Sequence, residues 1–172
     1  LSIAMGSHLK KISCPAELYD LTETELWLHG ALSSVAAKEI MVQCSTMKIP
    51  QLAPVAALTH DIGKLILVRH ADIHPREIVA AAQERELTFV EAEEELLGFN
   101  HAELGGAVAK KWDFPEEVQD SIARHHNVPV EDPNPMLDTV MMANWVAKTV
   151  GVGVGAEGMN FNVDGGVSKR LG

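Results

Sequence analysis

Val55-Ala56-Ala57-Leu58-Thr59-His60-Asp61-Ile62-Gly63-Lys64-Leu65-Ile66-Leu67-Val68 is the stretch on which the reading of this chain turns. Apolar residues flank His60-Asp61 on both sides, and Pro50 and Pro54 bracket the approach, so the pattern predicts a helix over 56–68 with an imidazole and a carboxylate in its middle. Burying either group without a partner costs several kcal/mol. Neighbouring helical residues point about 100° apart, so an adjacent His-Asp pair cannot chelate as an i,i+4 pair does. Both side chains reach one site only if they lean into a space between helices, or if the carboxylate bridges two ions. Taken alone, the dipeptide is better explained by Asp61 capping a turn near Gly63.

Other polar residues fall where a core should be. Thr22-x-x-Glu25 is a capping box that opens a predicted helix over 23–43, and His29 shares its apolar face with Leu32, Ala36 and Ile40. Asn100-x-x-Glu103 opens a helix over 101–112, in which His101 lies with Leu104, Gly105, Val108 and Trp112. His126 follows Ile122 and Val118 at one-turn spacing in a helix predicted from Pro115 to His126, and His125 beside it offers a second imidazole. Asn144 sits among Leu137, Val140, Met141 and Ala147 in a helix that starts at Pro135 and runs to 151.

Each of these placements alone is an ordinary core histidine bonded to a carbonyl. Five or six of them in one small core need a common explanation, and a metal site supplies it. Imidazole nitrogens and a carboxylate converging on one cation satisfy one another, and the donor mixture suits Zn, Fe, Mn or Ni. Lys64, one turn beyond His60, is either a phosphate-binding cation or a snorkelling surface lysine. His8, His70 and His74 fall outside the pattern, and the last two are expected at the surface. The run Glu91, Glu93, Glu94, Glu95 reads as a solvated helix face.

The rest of the chain is also helical in pattern, with segments over 75–86 and 89–97, and it lacks the period-2 alternation of strands. The fold class is all-α, a helical bundle over 1–150. A tail over 151–172 holds 7 of the 13 glycines, with a last turn expected near 167–171. Residues 1–12 read as the end of a helix whose beginning precedes Leu1.

The composition limits what such a bundle can do. The chain has 172 residues, 14 basic and 24 acidic side chains and a net charge of −10. Residues 1–86 carry −2 and residues 87–172 carry −8. A broad nucleic-acid or anionic membrane surface needs clustered Lys and Arg, so neither partner is expected. No apolar run approaches the ~20 residues of a bilayer span. Cys14 and Cys44 form no C-x-x-C pair, which fits a reducing cytoplasm and argues against a thiolate zinc site.

An early His, then His-Asp-Ile-Gly-Lys, then a His and a His-His on later helices resembles the HD superfamily of metal-dependent phosphohydrolases. The likeness is strongest to its HDOD branch, the HD-related output domain of bacterial signalling proteins. Leu26-Trp27-Leu28-His29-Gly30, Leu58 to Leu65, Leu96-Leu97-Gly98-Phe99-Asn100-His101-Ala102-Glu103-Leu104-Gly105, Trp112-Asp113-Phe114-Pro115 and Ile122-Ala123-Arg124-His125-His126 carry it. The resemblance implies an HD-like bundle whose N-terminal helices lie before this chain, and one or two divalent ions (Fe, Mn, Zn, Ni or Mg). By position it makes His29, His60, Asp61 and His101 metal ligands and adds His125 and His126 where a second ion is present. It places Asp61 and Lys64 at the reaction centre. Asn144 stands where catalytic members carry a ligand Asp, and a neutral carboxamide is the weaker ligand. The Gly-Tyr-Pro loop of cyclic-dinucleotide phosphodiesterases is replaced by Asn127-Val128-Pro129, so that activity is not expected. The implied function is a regulatory output module acting on a signalling partner or an attached regulatory domain. The alternative is a phosphohydrolase acting on a phosphate-containing small molecule.

Overall fold

The structure, a computed structural model, describes residues 21–70, 74–127, 133–152 and 165–172. The helix expected over 1–12 lies outside these residues, as does His8. The described residues form nine helices: α1 Glu23–Gln43, α2 Ala53–Thr59, α3 Ile62–His70, α4 Pro75–Arg85, α5 Phe89–Leu97, α6 His101–Lys111, α7 Glu116–Arg124, α8 Pro135–Thr149 and α9 Gly165–Leu171.

Local chemistry sets most of these boundaries. Thr22, Thr88 and Asn100 each close the capping box read from the sequence, satisfying first-turn N–H groups of α1, α5 and α6. His74, which is exposed, makes a fourth with Glu77. Gly98 ends α5 in the left-handed conformation at φ 80°. Pro115 differs from expectation: it is the N-cap of α7, with extended backbone at ψ 142°, and the helix starts at Glu116. The same helix stops at Arg124, so His125 and His126 lie just past its end.

The largest departure from the sequence pattern lies in residues 55–68. The single helix expected over 56–68 is two helices, α2 and α3, broken at His60-Asp61. Thr59 turns its hydroxyl back onto the Val55 and Ala56 carbonyls, and the Lys64 N–H bonds to the Asp61 carbonyl at 3.0 Å to begin the new helix. This break resolves the adjacency problem, because the two side chains need not obey one helix's 100° step.

Two groups of helices meet at that break. α1, α2 and α8 pack together on one side and α3, α6 and α7 on the other, joined through α2 against α7 and α7 against α8. Residues such as Ile122, Leu137 and Val140 fill the interior, each contributing about 1.5–3 kcal/mol. The approach is close where glycine allows it. A Cβ on Gly63 would stand 1.8 Å from the His101 carbonyl oxygen, and one on Gly30 would stand 2.6 Å from that of Leu58. These contacts bring α3 onto α6 and α1 onto α2, and with them the histidines. α9 is pinned to α8 by Arg170, whose guanidinium donates two 2.7 Å bonds to buried Asp138.

Candidate metal centre

Seven polar side chains converge on the seam between the two helix groups: His29 from α1, His60 and Asp61 from the α2–α3 break, Lys64 from α3, His101 from α6, and His125 and His126 after α7. All but the part-exposed His126 are buried. Asp61 is the hub. Its Oδ1 lies 3.4 Å from His101 Nε2 and 3.5 Å from His125 Nε2. Its Oδ2 lies 3.1 Å from Lys64 Nζ, 3.5 Å from His60 Nε2 and 3.9 Å from His29 Nε2. Two donor groups result, His29 with His60 and Asp61, and Asp61 with His101, His125 and His126, each with its ligand atoms within 4.8 Å of one another.

The far ring nitrogens fix which atom faces the hub. His60 Nδ1 donates to the Ala57 carbonyl at 2.8 Å, and His125 Nδ1 to that of Ile122 at 2.8 Å. His101 Nδ1 donates to Glu93 Oε2 at 2.7 Å. With the proton on Nδ1, the Nε2 atoms of His60 and His125 present bare lone pairs to the carboxylate. His60 Nε2, His125 Nε2 and Asp61 Oδ1 are buried without a hydrogen-bond partner. Lone pairs facing carboxylate oxygens at such distances repel, and a divalent ion between them removes the conflict. Two donors on one ion, bound at ~2.0–2.2 Å, lie roughly 2.9–3.5 Å apart. His101 Nε2 and His126 Nε2, 2.9 Å apart, meet that spacing, as do the two Asp61 Oδ1 distances. The residues present therefore fit a metal ion.

The electrostatics point the same way. Burial pushes His60 down to about 3 and lowers His125 and His126, so these imidazoles are neutral, as ligands must be. Burial also pushes the Asp61 carboxyl up, but the Lys64 ammonium and His60 outweigh it and hold the group well below the usual carboxylate range. His101 is the exception. Burial opposes its charge, yet Glu93 prevails and raises it to about 9.

Several site residues lie elsewhere than the sequence suggested. Lys64 is neither snorkelling nor surface-facing; it is 3 % exposed and paired with Asp61. Asn144, buried on α8, reaches the centre through His29, with Oδ1 3.1 Å from Nε2. Glu93 corrects the expectation of a solvated acidic face: it is 0 % exposed and accepts from both the backbone N–H and Nδ1 of His101 at 2.7 Å. The signal was present, because Glu93 lies four residues from both Phe89 and Leu97, on their side of the helix.

The family model described as HDOD domain matches residues 1–128. The chain belongs to the HDOD domain family. Solved structures agree with this at the level of fold. An HDOD domain protein of unknown function from Geobacter sulfurreducens superposes with a TM-score of 0.67 and 26% identity, covering 90% of this chain and 57% of that one. A "Putative phosphohydrolase" from Shewanella amazonensis SB2B gives 0.61 and 20%, covering 89% and 59%. The MmoQ response regulator of Methylococcus capsulatus gives 0.61 and 19%, covering 91% and 64%. An uncharacterised protein of Treponema pallidum is 29% identical over 101 residues, 52% of this chain and 18% of its own length. This HDOD chain thus spans about a fifth of that relative and less than two thirds of the solved ones. Among its described residues no helix is long and apolar enough to cross a membrane.

Proposed function

We propose that this HDOD chain is a regulatory output module of a bacterial signalling system. Its buried His/Asp centre holds divalent metal as part of the scaffold, and the signal passes in the cytoplasm to a partner protein or an attached regulatory domain. The enclosure of the centre carries this reading. Asp61 is 7 % exposed, and the nearby ammonium that would receive a phosphate, Lys64, is directed at Asp61 instead. The groove that Asp61 lines is mostly apolar, formed with Leu26, Trp27, Leu58, Ile62 and Leu65. Asn144 supplies no negative charge to the His29 side.

A phosphohydrolase is the second reading, favoured by the position of Asp61 between the two donor groups. A bound ion would supply Lewis-acid polarisation of a phosphoryl oxygen. In that reading Asp61 orients the reacting centre, and Lys64 swings from Asp61 to the phosphate. Hydrolysis of a panel of nucleotides, phosphomonoesters and phosphodiesters by the metal-loaded chain and its Asp61→Ala variant tests the choice. The regulatory reading expects no Asp61-dependent turnover of any member. Turnover by the wild type that Asp61→Ala abolishes would overturn it in favour of the enzyme.

A further inference from the structure

The two donor groups around Asp61 are not equivalent, and their hydrogen bonds distinguish them. On the His29 side, His29 Nδ1 faces the Val152 carbonyl at 3.2 Å and Nε2 faces Asn144 Oδ1 at 3.1 Å. Whichever nitrogen carries the proton, Nε2 is engaged by Asn144, as a donor to its oxygen or, with the amide turned over, as an acceptor from its NH2. The carboxylate oxygen on that side, Oδ2, is already held by the Lys64 ammonium at 3.1 Å. Only His60 Nε2 is left on that side without a partner.

The other side is the reverse. Asp61 Oδ1 and His125 Nε2 both lack a hydrogen-bond partner. His101 Nε2 and His126 Nε2 face each other at 2.9 Å. One proton shared between those two nitrogens satisfies that pair and still leaves the carboxylate oxygen and His125 unmatched. A single divalent ion satisfies all four donors. The Glu93 and Ile122 acceptors behind His101 and His125 hold their Nε2 atoms toward it.

We infer that the chain holds one divalent ion, bound by Asp61, His101, His125 and His126, and that the His29–His60 side with Asn144 holds none. Three imidazoles and one carboxylate make a site for a borderline cation of the Zn2+ class, and a poor one for Mg2+, which takes oxygen ligands. This inference rests on the metal-bearing reading proposed above, but it can fail separately.

The test is Zn2+ titration of the chelator-stripped chain, read as stoichiometry and affinity, with circular dichroism to verify that each variant is folded. The wild type is expected to take one Zn2+. His29→Ala should keep that stoichiometry with affinity within about threefold, whereas His126→Ala should lose at least about tenfold in affinity, as disturbed metal shells do. Asn144→Asp, which restores a charged ligand at nearly unchanged shape, should raise the capacity to two. It keeps the inference testable even if a histidine variant fails to fold. Loss of the ion in folded His29→Ala, two ions in the wild type, or a capacity of one in Asn144→Asp would each overturn the site assignment. A wild type that takes no Zn2+ would overturn the metal-bearing reading itself.

Discussion

At the scale of single residues, the centre depends on a carboxylate that stands behind a ligand ring and not among the metal-facing atoms. Glu93 accepts two bonds from His101 and is fully enclosed, so it sets both the tautomer and the orientation of that ring. Glu93→Ala is expected to lower metal affinity about 10–100-fold while leaving the helix content intact, and Glu93→Gln to lower it less, because the amide oxygen still accepts. Equal affinity in all three proteins, measured by competition with a chromophoric chelator, would remove Glu93 from the centre. The sequence displayed His29, His60, Asp61, His101, His125 and His126 because apolar faces framed them. It hid Glu93 among Glu91, Glu94 and Glu95, where a charge run outweighed the spacing from Phe89. It also hid the asymmetry of Asp61, since nothing in a one-dimensional pattern tells Oδ1 from Oδ2.

At the scale of elements, capping chemistry was legible and tertiary contact was not. Thr22, Thr88 and Asn100 announce their helices because a cap is a local bond within four residues. The break between α2 and α3 is decided by what lies across the seam, where Gly63 lets α3 press against the first turn of α6. Gly63→Ala puts a methyl 1.8 Å from a backbone oxygen, which no rotamer change relieves. It should cost about 3 kcal/mol or more, a fall in Tm of roughly 6–12 °C for a chain of this size. An unchanged Tm would mean that the two helices approach less closely than described. The last helix offers an independent check. Arg170→Ala leaves the Asp138 carboxylate buried and unpaired, at an expected cost of about 3–5 kcal/mol, whereas replacing both partners with apolar residues should recover most of the loss. Denaturant unfolding of the single and double variants separates these outcomes.

For the whole molecule, the formal charge of −10 understates what the chain can do with anions or metals, because the working charges are enclosed at the seam. Those groups also tie stability to pH. In the metal-free chain His60, pushed down to about 3, together with His125 and His126, stays neutral when folded but takes up protons near 6.5 when unfolded. The unfolded state therefore binds more protons below pH 6.5, and stability falls as pH falls through that range. His101, raised to about 9, acts in the opposite sense: its contribution is complete below 6.5 and is lost as pH rises through about 9. Thermal melts of the chelator-treated chain should therefore peak near pH 6.5, and a Tm flat from pH 4 to 9 would contradict the burial of these rings. The central claim is that the seam is a metal centre organised by Asp61. The most direct test is elemental mass spectrometry of the purified chain and of Asp61→Ala, both verified as folded. A divalent transition metal at near one equivalent is expected in the wild type and its loss in the variant, whereas equal metal content in the two proteins, or none in the wild type, would contradict a metal centre organised by Asp61.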